Sequence, residues 1–367
     1  HLIFIVKIKN NMRVCILGGS LSSLTLAKAL VNLKINVDVL INKKINTPSH
    51  TRTLGISKKN IQYINENIID IEKIIWKLKK IEILSENIKD EKFLYFENDS
   101  EYLFSIIKNF EFQEILKKKL SRNKYFKITY SKRNINYENY NLVINTEQDN
   151  LISRKYFTKK IEKKYNSYAY TTIITHEKIF NNTATQIFTK KGPLAFLPIS
   201  NFETSVVYSI NGSLNQTEQI SKLIHQYNFK YKIKKINKID VFKLKAINLR
   251  TYWKDNILAF GDLLHKIHPL AGQGFNMTLR DINILIKIIE NKINLGLPLD
   301  KSVCIEFEKK TKHKNFIFSN GIDIIHELFN LERKTKVKFI SKSIKMFGNN
   351  PILNKFFTKI ADEGLII

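Results

Sequence analysis

Residues 261–281 read GDLLHKIHPLAGQGFNMTLRD, and this stretch decides the predicted fold. A short apolar run at residues 257–260 precedes it and is typical of a buried strand. Its second half carries apolar residues at helical spacing. Between the two come an acid, Asp262, and two glycines, Gly272 and Gly274. The stretch therefore predicts a strand–loop–helix junction.

A junction of this kind is a natural place for an anionic or electron-rich ligand. Backbone N–H groups and the positive end of the helix dipole converge there. Gly272 and Gly274 would let the backbone approach the ligand without an intervening Cβ. The physical alternative is a surface loop with turn glycines, and the stretch by itself leaves both interpretations open.

The N-terminal region also has the pattern of a strand followed by a turn and a helix. An apolar strand is predicted at residues 13–17, a helix at 24–33 and a second strand at 37–41, which is the context of a dinucleotide fingerprint. The fingerprint itself is degraded. Gly18 is present, but Ser20 and Ser23 replace the second and third glycines. Serine is small, so a pyrophosphate still fits against the helix N-terminus.

The acid expected at the end of the second strand is replaced by Asn42. An amide can hydrogen-bond a ribose hydroxyl, although less strongly than a carboxylate. On its own this region is a weak predictor of a nucleotide site, and an ordinary strand–helix unit is an equal alternative.

The quoted stretch resembles the second flavin signature of the FAD-dependent aromatic hydroxylases, and more narrowly that of the ubiquinone-biosynthesis hydroxylase family. That pattern reads G-D-A-A-H-x-x-H-P-x-A-G-Q-G-x-N-x-G-x-x-D. The chain departs from it at Leu263, Leu264 and Thr278. The resemblance extends over roughly residues 12–360 and is strongest at 192–199 and 261–281.

The resemblance implies an α/β fold of para-hydroxybenzoate-hydroxylase type. A discontinuous, Rossmann-like FAD-binding domain with C-terminal helices would comprise residues 12–70, 98–160 and 250–367. An inserted mixed β-sheet substrate domain would comprise residues 71–97 and 161–249. We expect residues 1–11 to be an N-terminal tail, with Met12 as a candidate start.

The resemblance also implies which residues hold FAD. A carboxylate, Asp262, would bind the ribityl hydroxyls, and the helix beginning near Gly274 would stabilise negative charge on the flavin. Arg52 follows the second strand, and Asn109 precedes an apolar helical repeat, as in the family. The full set of implied cofactor contacts is Gly18, Ser20, Ser23, Asn42, Arg52, Asn109, Gly261, Asp262, Gly272, Gly274 and Asn276.

Two residues of the quoted stretch are implied at the reacting edge of the flavin ring. These are Pro269 and His268, which we assign as the candidate catalytic residues. His268 and His265 are both candidate bases, but a histidine in this motif more often shapes the loop. The chemistry itself would belong to the cofactor.

Residues 192–199, GPLAFLPI, resemble the family's G-P-L-A-L-L-P-L. In the family this segment belongs to an antiparallel sheet that lies over the flavin and forms the substrate pocket. The implied pocket residues are Pro193, Leu197 and Pro198. Such a sheet would exclude water from the reaction.

The family's G-A-D-G turn is replaced here by Asn145, Thr146, Glu147 and Gln148, with Arg154 matching a trailing arginine. Glu147 keeps the charge, but Gln148 removes the glycine. This departure affects the expected handling of a nicotinamide more than that of the flavin. We therefore expect FAD as cofactor and leave open whether NADPH, NADH or another donor is the reductant.

Periodicity predicts several further elements. Helices are predicted at residues 101–122, 217–227, 301–329, 334–347 and 352–361, and strands at 71–84, 93–96, 140–144, 167–175, 184–188, 194–198, 205–210 and 241–249. The basic run at 334–345 is compatible with a helix on a membrane surface, although ordinary packing is the preferred interpretation.

The composition is that of a globular protein with a strong basic excess. Hydrophobic residues make up 43% and charged residues 26%, and the formal net charge is +28. Lysines are dispersed along the chain, which argues against nucleic-acid binding and favours compositional bias or attraction to an anionic membrane. No apolar run approaches a membrane span. The sequence shows no metal-ligand spacing, P-loop or catalytic triad, and its two cysteines predict a reducing compartment.

The implied function is FAD-dependent hydroxylation of the aromatic ring of a polyprenylated ubiquinone precursor. One alternative is a flavin oxidoreductase of the same fold acting on a soluble phenol. Another is a non-catalytic subunit of a quinone-biosynthesis assembly. The expected partners are a polyprenyl-phenol or quinone-precursor substrate, an anionic membrane surface and other quinone-biosynthesis proteins. The expected location is the cytoplasm, with peripheral association to the inner face of the membrane.

Overall fold

The computed structural model describes residues 12–41, 49–86, 92–97, 102–130, 137–212, 217–267 and 273–335. The predicted tail at residues 1–11, the predicted helix at 352–361 and nearly all of that at 334–347 lie outside this part of the chain. None of the helices in the described ranges is long and apolar enough to cross a membrane.

The strands of the described residues are β1 (Arg13–Leu17), β2 (Asn36–Ile41), β3 (Thr53–Ser57), β4 (Ile75–Leu78), β5 (Lys80–Ser85), β6 (Lys92–Glu97), β7 (Phe104–Lys108), β8 (Phe126–Tyr130), β9 (Leu142–Asn145), β10 (Lys160–His176), β11 (Thr183–Thr189), β12 (Gly192–Pro198), β13 (Glu203–Asn211), β14 (Ile233–Ile236), β15 (Asp240–Leu249), β16 (Trp253–Lys254), β17 (Ile257–Ala259) and β18 (His265–Lys266).

The α-helices are α1 (Leu21–Asn32), α2 (Lys58–Asn67), α3 (Asn109–Leu120), α4 (Leu151–Tyr156), α5 (Thr217–Tyr227), α6 (Gln273–Asn294) and α7 (Lys301–Thr335). Short 3₁₀ helices lie at Glu72–Ile74, Tyr137–Asn139 and Gly261–Leu263.

These elements build three sheets. A six-stranded sheet has the order β16-β17-β9-β1-β2-β8, and all of its pairs are parallel except β16 with β17. A nine-stranded sheet runs β18-β15-β10-β13-β12-β11-β5-β6, with β14 added beside β10. Strands β3, β7 and β4 form a small third sheet. The parallel sheet with flanking helices and the separate mixed sheet agree with the predicted α/β architecture.

The largest core surrounds the parallel sheet. Residues 14–17 of strand β1 are buried on both faces, and their sequence is accordingly a continuous apolar run. Helices α1 and α6 contribute most of the helical side of this core, and Phe260 meets Phe307 of α7 with ring centroids 5.7 Å apart. A second core lies between the nine-stranded sheet and α5.

Two predicted helices are wrong in their bounds. The helix predicted at 101–122 begins only at Asn109, because residues 104–108 form β7, the central strand of the small sheet. Ser105, Ile106 and Ile107 are buried there, and a strand buried on both faces does not show the alternation that separates it from a helix. The break predicted between residues 329 and 334 is not formed, since α7 continues to Thr335.

We expect two glycines near the ends of the β12–β13 pair to respond differently to alanine. Gly192 has φ 143°, and a Cβ there would lie 1.9 Å from the backbone oxygen of Ser209. Gly212 has φ 74° with open space around it. Gly212→Ala should cost about 1–2 kcal/mol of unfolding free energy from backbone strain alone, and Gly192→Ala about 2–5 kcal/mol because a clash is added. Urea denaturation of the two variants measures the difference in unfolding free energy. Equal losses would contradict the additional clash assigned to Gly192→Ala.

Candidate functional site

Three neighbouring parallel strands end at the same level of the six-stranded sheet. Leu17 of β1 lies beside Asn145 of β9, which in turn lies beside Ala259 of β17. The residues that follow, including Gly18, Glu147 and Asp262, therefore gather along one edge of the sheet. The carboxyl edge of a parallel sheet is where ligands bind in open α/β folds.

Gly18 forms the turn between β1 and α1 and cannot be replaced without conflict. Its φ is 114°, and a Cβ at this position would lie 2.4 Å from Oγ1 of Thr146. The turn leads directly into α1, whose N-cap, Ser20, accepts a hydrogen bond from the backbone N–H of Ser23. The first-turn N–H groups of α1 therefore begin at the turn that the fingerprint predicts.

The serines that replace glycines in the fingerprint are held by a chain of hydroxyl groups. Ser20 Oγ lies 3.0 Å from Ser23 Oγ, and Ser23 Oγ lies 2.8 Å from Thr146 Oγ1. Thr146 in turn donates to the backbone oxygen of Leu17 at 2.8 Å. Ser23 is fully buried. The close contact of helix and strand that a third glycine would allow is thus kept by a hydroxyl that bonds across the gap.

The departure at residues 145–148 also has a structural explanation. The side chain of Gln148 donates to the backbone oxygen of Asp262 at 2.6 Å, so it ties the loop after β9 to the turn after β17. Glu147 is half-buried next to Gly18, and burial raises the pKa of its carboxyl group. A glycine at residue 148 could not make the tie.

Asp262 and Lys266 are two oppositely charged residues of the site. The sequence predicted a role for Asp262 but not for Lys266. The Asp262 side chain is exposed and makes no hydrogen bond to any residue in the described ranges. Lys266 of β18 is half-buried, and burial lowers the pKa of its ammonium group. Asp262 opposes this shift, while the charges of Arg52 and Lys245 add to it. Lys266 therefore lies close enough to one acid and two bases for their charges to act on it.

The structure brings together Arg52 and Asn109, two residues that the family resemblance implies as cofactor contacts. The backbone N–H of Asn109, at the start of α3, donates to the backbone oxygen of Arg52 at 3.0 Å. Asn109 is buried, and its Oδ1 accepts from Gln113 at 3.3 Å. The Arg52 side chain is exposed. The contacts that these two residues make with a cofactor stay predictions.

The segment at residues 49–53 lies across one face of the nine-stranded sheet. Thr51 Oγ1 lies 2.9 Å from Thr171 Oγ1 and donates to Asp240 at 2.8 Å, and Thr53 Oγ1 lies 2.8 Å from Ser205 Oγ. Ser205 is the cross-strand partner of Leu197 in β12. The half-buried face that carries Leu197 therefore looks toward the segment that carries Arg52.

Only two of the three predicted pocket residues lie on this face. Pro193 and Leu197 lie on it, both half-buried. Pro198 points to the opposite face and is buried, because successive side chains of a strand alternate. The structure therefore supports Pro193 and Leu197 as residues of one surface and separates Pro198 from them.

Asn276 is committed to contacts within the protein. Its Nδ2 donates to the backbone oxygen of Gly55 at 2.9 Å, and its Oδ1 accepts from Asn60 Nδ2 at 2.8 Å and from the N–H of Ser57 at 3.2 Å. These bonds fix the first turn of α6 against β3 and α2. The side chain thus has a structural role that the sequence did not reveal, while its predicted contact with a cofactor stays a prediction.

His265 is a buried polar residue of the quoted stretch. Its Nε2 donates to Oδ2 of Asp281 at 2.6 Å, and both side chains are almost completely buried. Asn315 of α7 donates to the same oxygen at 3.3 Å, and Arg280 lies 3.8 Å from the other oxygen. This pair joins β18 to α6, and it favours loop shaping over a role as base for His265.

The remaining predicted site residues divide into two groups. Gly261 has φ 58° and lies against Ser22 of α1, and Gly274 is in the first turn of α6. Asn42, His268, Pro269 and Gly272 lie outside the described residues. Within the described ranges, no cluster of three or more His, Cys, Asp or Glu side chains could hold a metal ion.

Comparisons with known proteins agree with the resemblance. No protein-family model matches the chain. It is 21% identical over 229 residues to the mitochondrial ubiquinone biosynthesis monooxygenase of Schizosaccharomyces pombe, a match that covers 50% of this chain and 48% of that protein. It is 28% identical over 152 residues to the 3-demethoxyubiquinol 3-hydroxylase of Escherichia coli, covering 39% of each protein. The matched region thus spans half or less of these relatives.

Solved structures match over nearly the whole chain. The p-nitrophenol 4-monooxygenase of Pseudomonas putida superposes with a TM-score of 0.77 at 11% identity and covers 97% of this chain and 100% of its own. A variant of Klebsiella pneumoniae HpxO complexed with FAD gives a TM-score of 0.71 at 12% identity, with 95% and 99% coverage. The predicted fold class is confirmed: the chain has the fold of FAD-dependent aromatic monooxygenases, and its sequence relatives are ubiquinone-biosynthesis hydroxylases.

The buried pair of His265 and Asp281 should behave as a coupled unit. His265→Ala removes the 2.6 Å partner of a buried carboxylate, which should cost about 3–5 kcal/mol of unfolding free energy. In a double-mutant cycle with Asp281→Ala, the double variant should lose at least about 1 kcal/mol less than the sum of the single losses. Denaturant unfolding measures all three. The control is Lys310→Ala, which removes a solvent-exposed i,i+4 ion pair to Glu306 and should cost less than about 1 kcal/mol. Additive losses would show that the pair is not coupled.

Proposed function

We propose that the protein is an FAD-dependent monooxygenase that hydroxylates the aromatic ring of a polyprenylated ubiquinone precursor. The observation that carries the proposal is the shared sheet edge, where the Gly18 turn, the N-terminus of α1 and the exposed Asp262 carboxylate lie side by side in a flavin-monooxygenase fold. The similarity to ubiquinone-biosynthesis hydroxylases supports the substrate class.

The residues at this edge fit FAD in chemistry and shape. Gly18 permits the tight turn beside Thr146, where a Cβ would clash, and the N–H groups of α1 follow this turn, as pyrophosphate binding requires. The Asp262 side chain makes no hydrogen bond to another described residue and would accept hydrogen bonds from ribityl hydroxyls. Lys266 and Arg52 supply positive charge near Asp262, which suits a ligand with two phosphates. When bound, FAD would supply the redox chemistry with oxygen.

The protein's own part in the reaction is to orient and to exclude water. The N-terminus of α6, beginning at Gln273, would stabilise negative charge on the flavin ring. The face of β12 that carries Pro193 and Leu197 would form the apolar wall over the reacting ring. Pro269 and His268 are proposed at the ring edge from the family resemblance, and NADPH or NADH is the proposed reductant.

The non-catalytic alternative rests on a specific observation. The glycine of the family's Asp-Gly turn is replaced by Gln148, whose side chain fills that region and bonds to Asp262. A subunit that had lost catalysis could keep the fold by such ties. Flavin content separates the two functions, because the purified enzyme should be yellow and release FAD on denaturation, whereas a non-catalytic subunit should stay colourless after reconstitution with FAD.

Asp262→Ala should weaken FAD binding. Removing a charged acceptor from ribityl hydroxyls should cost about 1.5–3 kcal/mol, a roughly 10- to 150-fold rise in Kd. Fluorescence titration of apoprotein with FAD measures this value. The matched control is Glu218→Ala, which removes one exposed acid from α5 and should leave the Kd unchanged. An unaltered Kd in Asp262→Ala would refute the assigned role.

Leu197→Ala should retain FAD but uncouple oxygen consumption from hydroxylation. Its side chain lies on the half-buried face of β12, so its loss should admit water to the site. The ratio of hydrogen peroxide to hydroxylated product should rise several-fold. Leu194→Ala is the control, because Leu194 is buried on the opposite face and its loss should lower stability by about 2–5 kcal/mol without raising the ratio. The same peroxide-to-product ratio in both variants would show that Leu197 does not form part of the pocket wall.

We also propose that the protein is cytoplasmic and attached peripherally to the inner face of the membrane, near other quinone-biosynthesis proteins. The support is the net charge of +28 together with the lipid-tailed substrate class of the relatives. Binding to anionic vesicles that weakens with added salt tests this attachment.

A further inference from the structure

An open groove of about 820 Å³ lies between α7 and the strands β10, β15 and β16. None of its lining residues belongs to the proposed flavin site. Its apolar surface comes from Ile161, Leu249, Trp253, Ile305 and Phe316. Ile161 is 44% exposed, Ile305 44% and Phe316 47%, so three large apolar side chains meet solvent in one concave place. Exposed apolar surface of this kind marks a binding site more often than chance.

The rim of the groove is positively charged. Arg250, Lys309 and Lys312 border it, together with one acid, Glu308. Glu308 pairs with Lys312 at 2.6 Å. Arg250 and Lys309 form no ion pair with any residue in the described ranges, so the rim keeps an excess of two positive charges. An apolar floor below free cations matches a molecule with an apolar tail and an anionic head.

We propose that this groove receives an acyl chain of an anionic phospholipid, with the phosphate at Arg250 and Lys309. The inference rests on the proposed membrane attachment and gives it a place on the molecule. The chain's own C-terminal sequence is a poorer occupant, because residues 336–367 carry more lysines than acids and would repel the rim. A volume near 820 Å³ also falls in the range of small-ligand clefts.

A fluorescence measurement tests whether an acyl chain enters the groove. The protein has two tryptophans, Trp76 and Trp253, and only Trp253 lines the groove. Vesicles of phosphatidylcholine and phosphatidylserine with brominated acyl chains should quench the emission of wild-type protein. Trp253→Phe should abolish this quenching, since Trp76 bonds to the backbone oxygen of Asn181 in another part of the structure. Persistence of the full quenching in Trp253→Phe would overturn the proposal.

Charge reversal on α7 tests the rim. Lys309→Glu should weaken co-sedimentation with phosphatidylserine vesicles at least about fivefold. Lys314→Glu is the matched control, because it makes the same charge change on the same helix but lies about half a turn away from the groove residue Lys312. Equal weakening by both variants would show a general effect of net charge and would overturn the groove as the site.

A second pair of variants tests the apolar floor. Phe316→Ser should reduce both vesicle binding and Trp253 quenching, whereas Phe202→Ser, at an equally exposed phenylalanine beside β13, should change neither. Circular dichroism confirms that each variant is folded. Binding of an acidic amphipathic peptide to the groove without any quenching by brominated vesicles would replace the lipid by a protein partner and overturn the proposal.

Flavin content measured on the same samples separates this inference from the proposed function. Protein that retains FAD but is not quenched by brominated vesicles would overturn the lipid groove and leave the flavin assignment intact. Protein that is quenched through Trp253 but never binds FAD would support the groove and contradict the enzyme.

Discussion

Strands β1, β9 and β17 end at the same level of the parallel sheet, and the site depends on this constraint. Hydrogen-bonded register places Leu17, Asn145 and Ala259 side by side, so residues that are 128 and 242 positions apart along the chain begin their loops at one edge. Any change in this register would move Gly18 away from Thr146 and Asp262 away from Gln148. Side-chain packing on both buried faces of β1 helps to fix the register, because a slip of one residue would present each face's side chains to the wrong packing partners.

Around this edge, hydrogen bonds take over tasks that glycines perform in the fingerprint. The hydroxyl chain from Ser20 through Ser23 to Thr146 fills the space that glycines would leave open, and it bonds the helix to the neighbouring strand. Gly18 is different, because its φ and its contact with Thr146 exclude a side chain. A fingerprint can therefore lose the glycines that serve packing while keeping the one that serves the turn.

The sequence was sufficient for the elements that have a clear period and for the local junctions. The parallel β1–α1–β2 unit, helix α5 and strands β12 and β13 were predicted close to their bounds. It was insufficient where tertiary pairing overrides local pattern, as in β7, which is flanked by two strands from distant positions. It also missed Lys266, whose importance comes from Asp262, Arg52 and Lys245 around it and not from its neighbours in sequence. The side-chain bonds of Asn276 and of Asp281 were likewise invisible, since their partners lie in other elements.

The stretch at 261–281 thus contains residues with two kinds of role, and this division bears on the choice between enzyme and non-catalytic subunit. His265, Asn276 and Asp281 are bonded within the protein, so a chain that only needed the fold would keep them. The Asp262 side chain makes no hydrogen bond within the described part of the chain and is exposed, and it lies near a half-buried lysine whose charged form burial disfavours. Stability alone gives no reason for this charged arrangement at the carboxyl edge of a parallel sheet. A ligand with hydroxyl groups and phosphates would explain the arrangement, because its hydroxyls would bond to Asp262 while its phosphates would offset the positive charges of Lys266 and Arg52.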